Sequence, residues 1–146
     1  MALLAVHLLA ATTWVGGLLF FLFAVVPAAR VTPDAGIPAL LGRAFRPAAW
    51  AALGTLVVTG PLLLLVQGLG PSVFRPAFWH SAFGLTLGAK LILVLAVLGL
   101  TLWHDVVLGP RSQVASDPRG SRYVGRAIGL LSLAIFLAGM ALAQGF

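Results

Sequence analysis

The sequence predicts an all-α integral membrane protein built as an antiparallel bundle of four transmembrane helices. Of its 146 residues, 61% are hydrophobic and 8% are charged, whereas ordinary soluble domains carry about 25% charged residues. The mean hydropathy is +1.10. Four apolar stretches are long enough to cross a hydrocarbon core of about 30 Å, which takes roughly 20 helical residues.

We predict a single domain over residues 1–146, with helices at about 2–29, 47–67, 81–108 and 125–144. Pro27 and Arg30 end the first helix, and Pro110 ends the third, because proline disfavours continuation of a helix. The first apolar run is longer than that of a secretory signal, and no basic residue precedes it. We therefore expect it to stay in the mature protein.

A second apolar pattern precedes the second helix. Ile37, Leu41 and Phe45 recur at helical spacing, with Arg43 and Arg46 between them. The pattern predicts either a short amphipathic helix lying in the membrane interface or an N-terminal extension of the second helix.

The basic residues predict which way the helices cross the membrane. The second loop holds only Arg75, and neither terminal segment carries a basic side chain. The first and third loops together hold seven basic residues: Arg30, Arg43, Arg46, Arg111, Arg119, Arg122 and Arg126. Since basic residues favour the cytoplasmic side, both termini and the second loop are expected outside.

Composition and motifs also narrow the function classes. A net charge of +6 often indicates a nucleic-acid partner, but these basic residues flank apolar runs, so we expect no such partner. The absence of cysteine excludes disulfides and thiolate metal sites. No nucleotide-binding or hydrolase motif is present, and we assign no catalytic residue.

Lys90 is the most informative ionisable residue, because it lies about 13 Å along the third helix. A lysine near the bilayer interior costs about 2.5–3.5 kcal/mol on insertion scales. The side chain extends to the interface, loses its proton, or pairs with an anionic ligand. Thr86, Thr101 and His104 share its helical face, which is expected to face the bundle interior. His104 and the adjacent Asp105 are expected to form a structural pair.

Two candidate sites follow from these residues. His7, His80 and Met140 are expected at the outer membrane face, and imidazole and thioether groups suit copper ions. Alternatively, His7 and Lys90 are axial ligands of a haem b iron inside the bundle, with Trp14 on the helical face of His7. The chain has no C-x-x-C-H motif, so any haem is bound without thioether links.

Several short segments resemble the bacterial copper-resistance D (CopD) family. They are HLLAA (7–11), WVGG (14–17), VPA (26–28), GAKL (88–91) and HDVVLGPR (104–111). The resemblance extends over nearly the whole chain. It implies a multi-pass protein of the bacterial cytoplasmic (inner) membrane that handles copper without catalysis, with His7 as the first ligand and His80 and Met140 as further ligands.

More distantly, the chain resembles the HemJ-type protoporphyrinogen oxidases. In those four-helix membrane proteins, a histidine on the first helix and a lysine on the third are implicated in haem binding, and His7 and Lys90 match these positions. The resemblance implies haem b for electron transfer or oxidase chemistry. The segment FLFAVVP (21–27) stands where those oxidases carry arginine and histidine, which weighs against the oxidase.

A third interpretation is a cofactor-free accessory subunit of a larger membrane complex, because small apolar bundles often have that role. A homo-oligomer is also compatible with the sequence.

The predicted orientation can be checked by cysteine labelling of intact cells. Gly70→Cys, in the second loop, is expected to react with a membrane-impermeant reagent from the periplasmic side. Ala115→Cys, in the third loop, is expected to react only after permeabilisation. The reverse pattern would place His7 and His80 on the cytoplasmic side.

Overall fold

The computed structural model describes residues 1–31, 36–108 and 119–144, and these residues are almost entirely helical. The α-helices are α1 (Ala2–Phe20), α2 (Val26–Val31), α3 (Gly36–Val66), α4 (Ala82–Trp103) and α5 (Arg119–Gln144). Phe21–Val25 and His104–Leu108 are π-helical, and Pro71–Phe74 and Pro76–His80 are short 3₁₀ turns. No strand occurs among these residues, which confirms the all-α prediction.

Within the described ranges, four helical segments are long and apolar enough to cross a membrane: Ala2–Ala29, Gly36–Val66, Ala82–Val107 and Tyr123–Met140. They correspond to the four predicted spans. Many of their large apolar side chains are exposed, and Leu9 and Ile92 are each 69% accessible. Surfaces of this kind are stable against lipid rather than water, so the chain is a multi-pass membrane protein.

Two helices begin earlier than the sequence predicts. α3 begins at Gly36, so the apolar pattern around Ile37 is an N-terminal extension of the second span and not a separate interfacial helix. α5 begins at Arg119. The predicted helix stop at Pro110 and the basic loop residue Arg111 lie outside the described residues, as does the labelling position at 115.

The first span changes its winding once. The N–H of Val26 bonds to the carbonyl of Phe21, five residues earlier, which makes Phe21–Val25 a π-helical turn. Pro27 follows directly and has no N–H to give to the carbonyl four residues before it. The wider turn accommodates the proline, and the helix continues to Val31, two residues beyond the predicted end at 29.

The chain forms two compact units, Met1–Ser72 and Val73–Phe146. In the first unit, α1 packs against α3. The packing face of α1 includes the buried Ala10 and Trp14, and Gly17 continues it at the next helical spacing. A Cβ on Gly17 would overlap the ring of Phe45 on α3, so the close approach of the two helices here depends on glycine.

In the second unit, α4 packs against α5 in the same way. Its buried residues are Gly84, Leu87, Val97 and Thr101 on α4 and Ile128 and Ser132 on α5. Two of them, Thr101 and Ser132, carry hydroxyl groups. A polar contribution to a helix–helix contact is common in membranes, where apolar burial does not distinguish protein from lipid.

Gly17→Ala is expected to destabilise the first unit, because the added methyl group would overlap the Phe45 ring. Overpacking of this kind costs about 1–3 kcal/mol. Gly16→Ala is the matched control, since nothing lies within 4 Å of the position of its Cβ. Thermal unfolding in detergent measures both variants. Equal midpoints for the two would contradict the close approach of α1 and α3.

Candidate metal site

His7 is attached to α3 by a hydrogen bond. Its Nδ1 lies 2.7 Å from Oγ1 of Thr59, a residue that is only 6% exposed. The same hydroxyl oxygen lies 2.6 Å from the carbonyl oxygen of Thr55. A carbonyl oxygen cannot donate, so the single hydroxyl hydrogen of Thr59 is directed to Thr55.

These two contacts determine which nitrogen of the imidazole carries the hydrogen. Because Thr59 gives its only hydrogen to Thr55, it must accept from His7, and Nδ1 is therefore protonated. In a neutral imidazole, the lone pair is then on Nε2. Metal-binding histidines commonly donate through one ring nitrogen to a fixed acceptor while the other binds the metal. His7 has this arrangement.

His7 lies where α1 contacts α3. A Cβ on Gly60, which follows Thr59, would lie 3.9 Å from Cε1 of His7, so the ring rests near the α3 backbone. Trp14 is two turns further along α1 and is 5% exposed. The predicted sharing of one helical face by His7 and Trp14 agrees with this burial. A role for Trp14 beside a haem stays a prediction.

The other two copper candidates belong to the second unit. His80 is exposed at the end of the 3₁₀ turn before α4, and Met140 on α5 is 47% exposed. A copper site shared by these residues and His7, which belongs to the first unit, stays a prediction. In the part of the chain that the structure describes, no group of three or more His, Cys, Asp or Glu side chains is arranged to hold a metal ion.

The turn that carries His80 is well fixed. The indole N–H of Trp79 donates to the carbonyl of Val73 at 2.9 Å. Ser81 caps α4, because its hydroxyl oxygen accepts the N–H of Gly84 at 3.0 Å. The histidine is thus held between a bonded tryptophan and a helix cap, with its imidazole accessible.

Lys90 reaches the neighbouring helix of its unit. A Cβ on Gly139 of α5 would lie 3.3 Å from Nζ of Lys90, so the amine lies against the α5 backbone. Within residues 1–31, 36–108 and 119–144, Lys90 has no ion pair. Its ligation of a haem together with His7 stays a prediction.

The residues of the predicted polar face of α4 differ in their surroundings. Nζ of Lys90 lies against α5, and Thr101 is buried. Thr86 instead donates its hydroxyl to the carbonyl one turn earlier, at 2.9 Å. His104 is partly buried, and its Nδ1 lies 3.4 Å from Oδ1 of Asp105, as expected for a structural pair.

Sequence reasoning missed Thr59, the residue that orients His7. A signal was present, since a polar residue inside a span is informative in a chain of this composition. Thr86 and Thr101 were identified through the helical face that they share with Lys90, whereas Thr59 and Ser132 were not predicted to belong to a site. Gly139 was also missed, because nothing in the sequence identifies the neighbour of Lys90.

Comparison with known proteins gives one match. A family model described as Copper resistance protein D (CopD) matches residues 39–144. No curated protein and no solved structure matches the chain. The matched region contains Thr59, His80, Lys90 and Met140, and it begins after His7 and Trp14. These comparisons do not add support for a HemJ-type oxidase, and the haem and accessory-subunit interpretations stay predictions.

Lys90→Met is expected to stabilise the haem-free protein, because methionine keeps a similar length and removes a cation that has no acidic partner in the described chain. The gain should be at most about 3 kcal/mol, the insertion cost of a central lysine. Lys90→Arg is the control that keeps the charge. Unfolding midpoints in detergent measure both, and an unchanged Lys90→Met midpoint would show that the cation is already well solvated.

The same variant tests the haem interpretation. If His7 and Lys90 ligate haem b, the purified protein is expected to show a Soret band that shifts on dithionite reduction and that Lys90→Met perturbs. A folded protein without a Soret band after haem supplementation would exclude this ligation.

Proposed function

This chain belongs to the copper resistance protein D (CopD) family, and from that premise we propose that it binds copper in the bacterial inner membrane with His7 as the principal ligand. Family membership by itself indicates a membrane copper-resistance protein. The assignment of His7, and of the outer membrane face, goes beyond it.

The hydrogen-bond chain from His7 through Thr59 to Thr55 supports the choice of ligand. Imidazole nitrogen suits both Cu(I) and Cu(II). The hydrogen bond at Nδ1 orients the ring and leaves the lone pair on Nε2, so the ligand is preorganised for metal binding. An acceptor held by its own bond to the α3 backbone cannot turn away from the histidine.

His80 and Met140 are the further ligands in this proposal. His80 adds a second imidazole from an exposed turn, and the thioether of Met140 favours Cu(I), the softer oxidation state. His7 comes five residues after the start of α1, about 7.5 Å along the helix axis, so under the predicted orientation it would lie in the outer part of the span. In this role the protein takes up or releases copper as cargo.

Purified protein is expected to bind copper, and His7→Ala is expected to abolish most of that binding. Thr59→Val should weaken it by about 10- to 100-fold, the usual effect of removing a group that orients a metal ligand. Elemental analysis and copper titration of the detergent-purified protein measure both effects.

Thr55→Val is the matched control on the same helix. Its own hydroxyl bonds to the carbonyl of Ala51, and the variant keeps the backbone carbonyl that Thr59 requires. Copper affinity should therefore remain near that of the unmodified protein. Copper binding that survives His7→Ala unchanged, in folded protein, would overturn the assignment.

A further inference from the structure

Thr101 differs from the other threonines of the described chain. Five others donate their hydroxyl to the carbonyl four residues earlier: Thr12, Thr13, Thr55, Thr59 and Thr86. Thr101 is 8% exposed, and among the described residues its Oγ1 has no hydrogen-bond partner. Burying a hydroxyl in this way costs about 1–3 kcal/mol. Because the Thr101 hydroxyl lacks the hydrogen bond that the other described threonines form, it is a candidate for binding another group or an ion.

A histidine and an acid follow one helical turn later. His104 and Asp105 come three and four residues after Thr101, the spacing at which helical side chains are neighbours. Nδ1 of His104 lies 3.4 Å from Oδ1 of Asp105, and the Asp105 side chain is 17% exposed. Asp105 is the sole acidic residue in the part of the chain that the structure describes.

The three residues lie where the helix changes its winding. α4 ends at Trp103, and His104–Leu108 is π-helical. The N–H of His104 is shared between the carbonyls of Leu100 and Thr101. Single π-helical turns often occur at functional sites, because they change the direction of side chains without ending the helix.

We propose that Thr101, His104 and Asp105 form a proton-binding site at this end of the α4–α5 pair. The proton comes from the aqueous phase and resides on the His104–Asp105 pair. The loaded pair is neutral overall, as imidazolium with carboxylate, and the unloaded pair carries one negative charge. In the loaded state, rotation of the His104 or Asp105 side chain brings the pair within hydrogen-bond reach of the Thr101 hydroxyl, which lies one helical turn earlier.

The enclosure of Thr101 favours a proton over a metal ion. The surface of its Oγ1 is closed off by protein, so a hydrated metal ion cannot reach it without rearrangement. A hydroxyl and a carboxylate are hard oxygen donors, whereas copper in its reduced state prefers sulfur and nitrogen. The proton is the smallest cation that this donor set accepts.

The other ionisable residues near this site are on α5. The π-helical segment packs against α5. The ionisable residues of α5 near that end are Arg119, Arg122, Tyr123 and Arg126. Tyr123 and Arg126 are exposed, and the side chains of Arg119 and Arg122 lie outside the described part. The arginine guanidinium cannot accept a further proton, so the proton acceptors at this site are His104 and Asp105.

The test follows protonation of His104 by ¹⁵N-histidine NMR in the full-length, copper-free protein, with His104→Gln to assign the signal. Thr101→Val is expected to move the midpoint by about one pH unit, a tenfold change in proton affinity. Thr101→Ser keeps the hydroxyl and should restore the midpoint. Thr86→Val, on the same helix, should leave the midpoint unchanged. Asp105→Asn should move it further than Thr101→Val does.

An unchanged midpoint in folded Thr101→Val would overturn the proposal. So would a Thr101→Val protein that is more stable to heat and titrates as before, because the hydroxyl would then be merely buried. Copper is absent from this experiment, so its outcome is independent of the proposed copper site at His7.

Discussion

A polar side chain inside a lipid bilayer has no water to bond to, so its partner must be found within the protein. On an α-helix, a threonine hydroxyl meets this requirement by donating to the carbonyl one turn earlier. Thr59 does so, and its oxygen then accepts from His7 on another helix. The direction of one hydrogen bond within α3 thereby sets the protonation pattern of an imidazole on α1. The proposed copper ligand depends on that constraint.

The same environment explains the importance of glycine at the helix contacts. Helices in a membrane gain little from burying apolar surface, so they rely on close packing and on polar contacts. Gly17 gives room to the ring of Phe45 in the first unit, and Gly139 gives room to the amine of Lys90 in the second. The two glycines have different roles. Gly17 leaves space for an apolar ring, whereas Gly139 allows a cation to lie against the helix backbone.

The sequence predicts the spans well because hydropathy reports directly which segments can occupy the hydrocarbon layer. It predicts the helix ends less well, because α3 begins at Gly36 and α5 at Arg119, both before the apolar stretch that marks the span. The face shared by His7 and Trp14 was also predictable, because the helical repeat is a local property. Thr59 and Gly139 were not, because pairing across helices depends on a register that spacing within one helix does not contain.

Family resemblance and local chemistry contribute different parts of the functional argument. The region that matches the CopD family includes the acceptor, Thr59, whereas the donor, His7, precedes it. The family therefore supports copper as the cargo, and the hydrogen bond supports His7 as the ligand. Neither observation identifies both the cargo and the ligand. The copper titration of Thr59→Val is therefore more informative than copper content alone.

Thr59 and Thr101 differ in whether their buried hydroxyl groups have hydrogen-bond partners in the described chain. Thr59 both donates and accepts, and the consequence is a fixed imidazole on the helix beside it. Thr101 does neither among the described residues, although a carbonyl one turn earlier was available to it, as it was to the other threonines. In a bilayer, a satisfied hydroxyl orients its neighbour. An unsatisfied hydroxyl one helical turn before a histidine and an acid can bind to that pair, and this is the physical basis for the proposed proton site at His104 and Asp105.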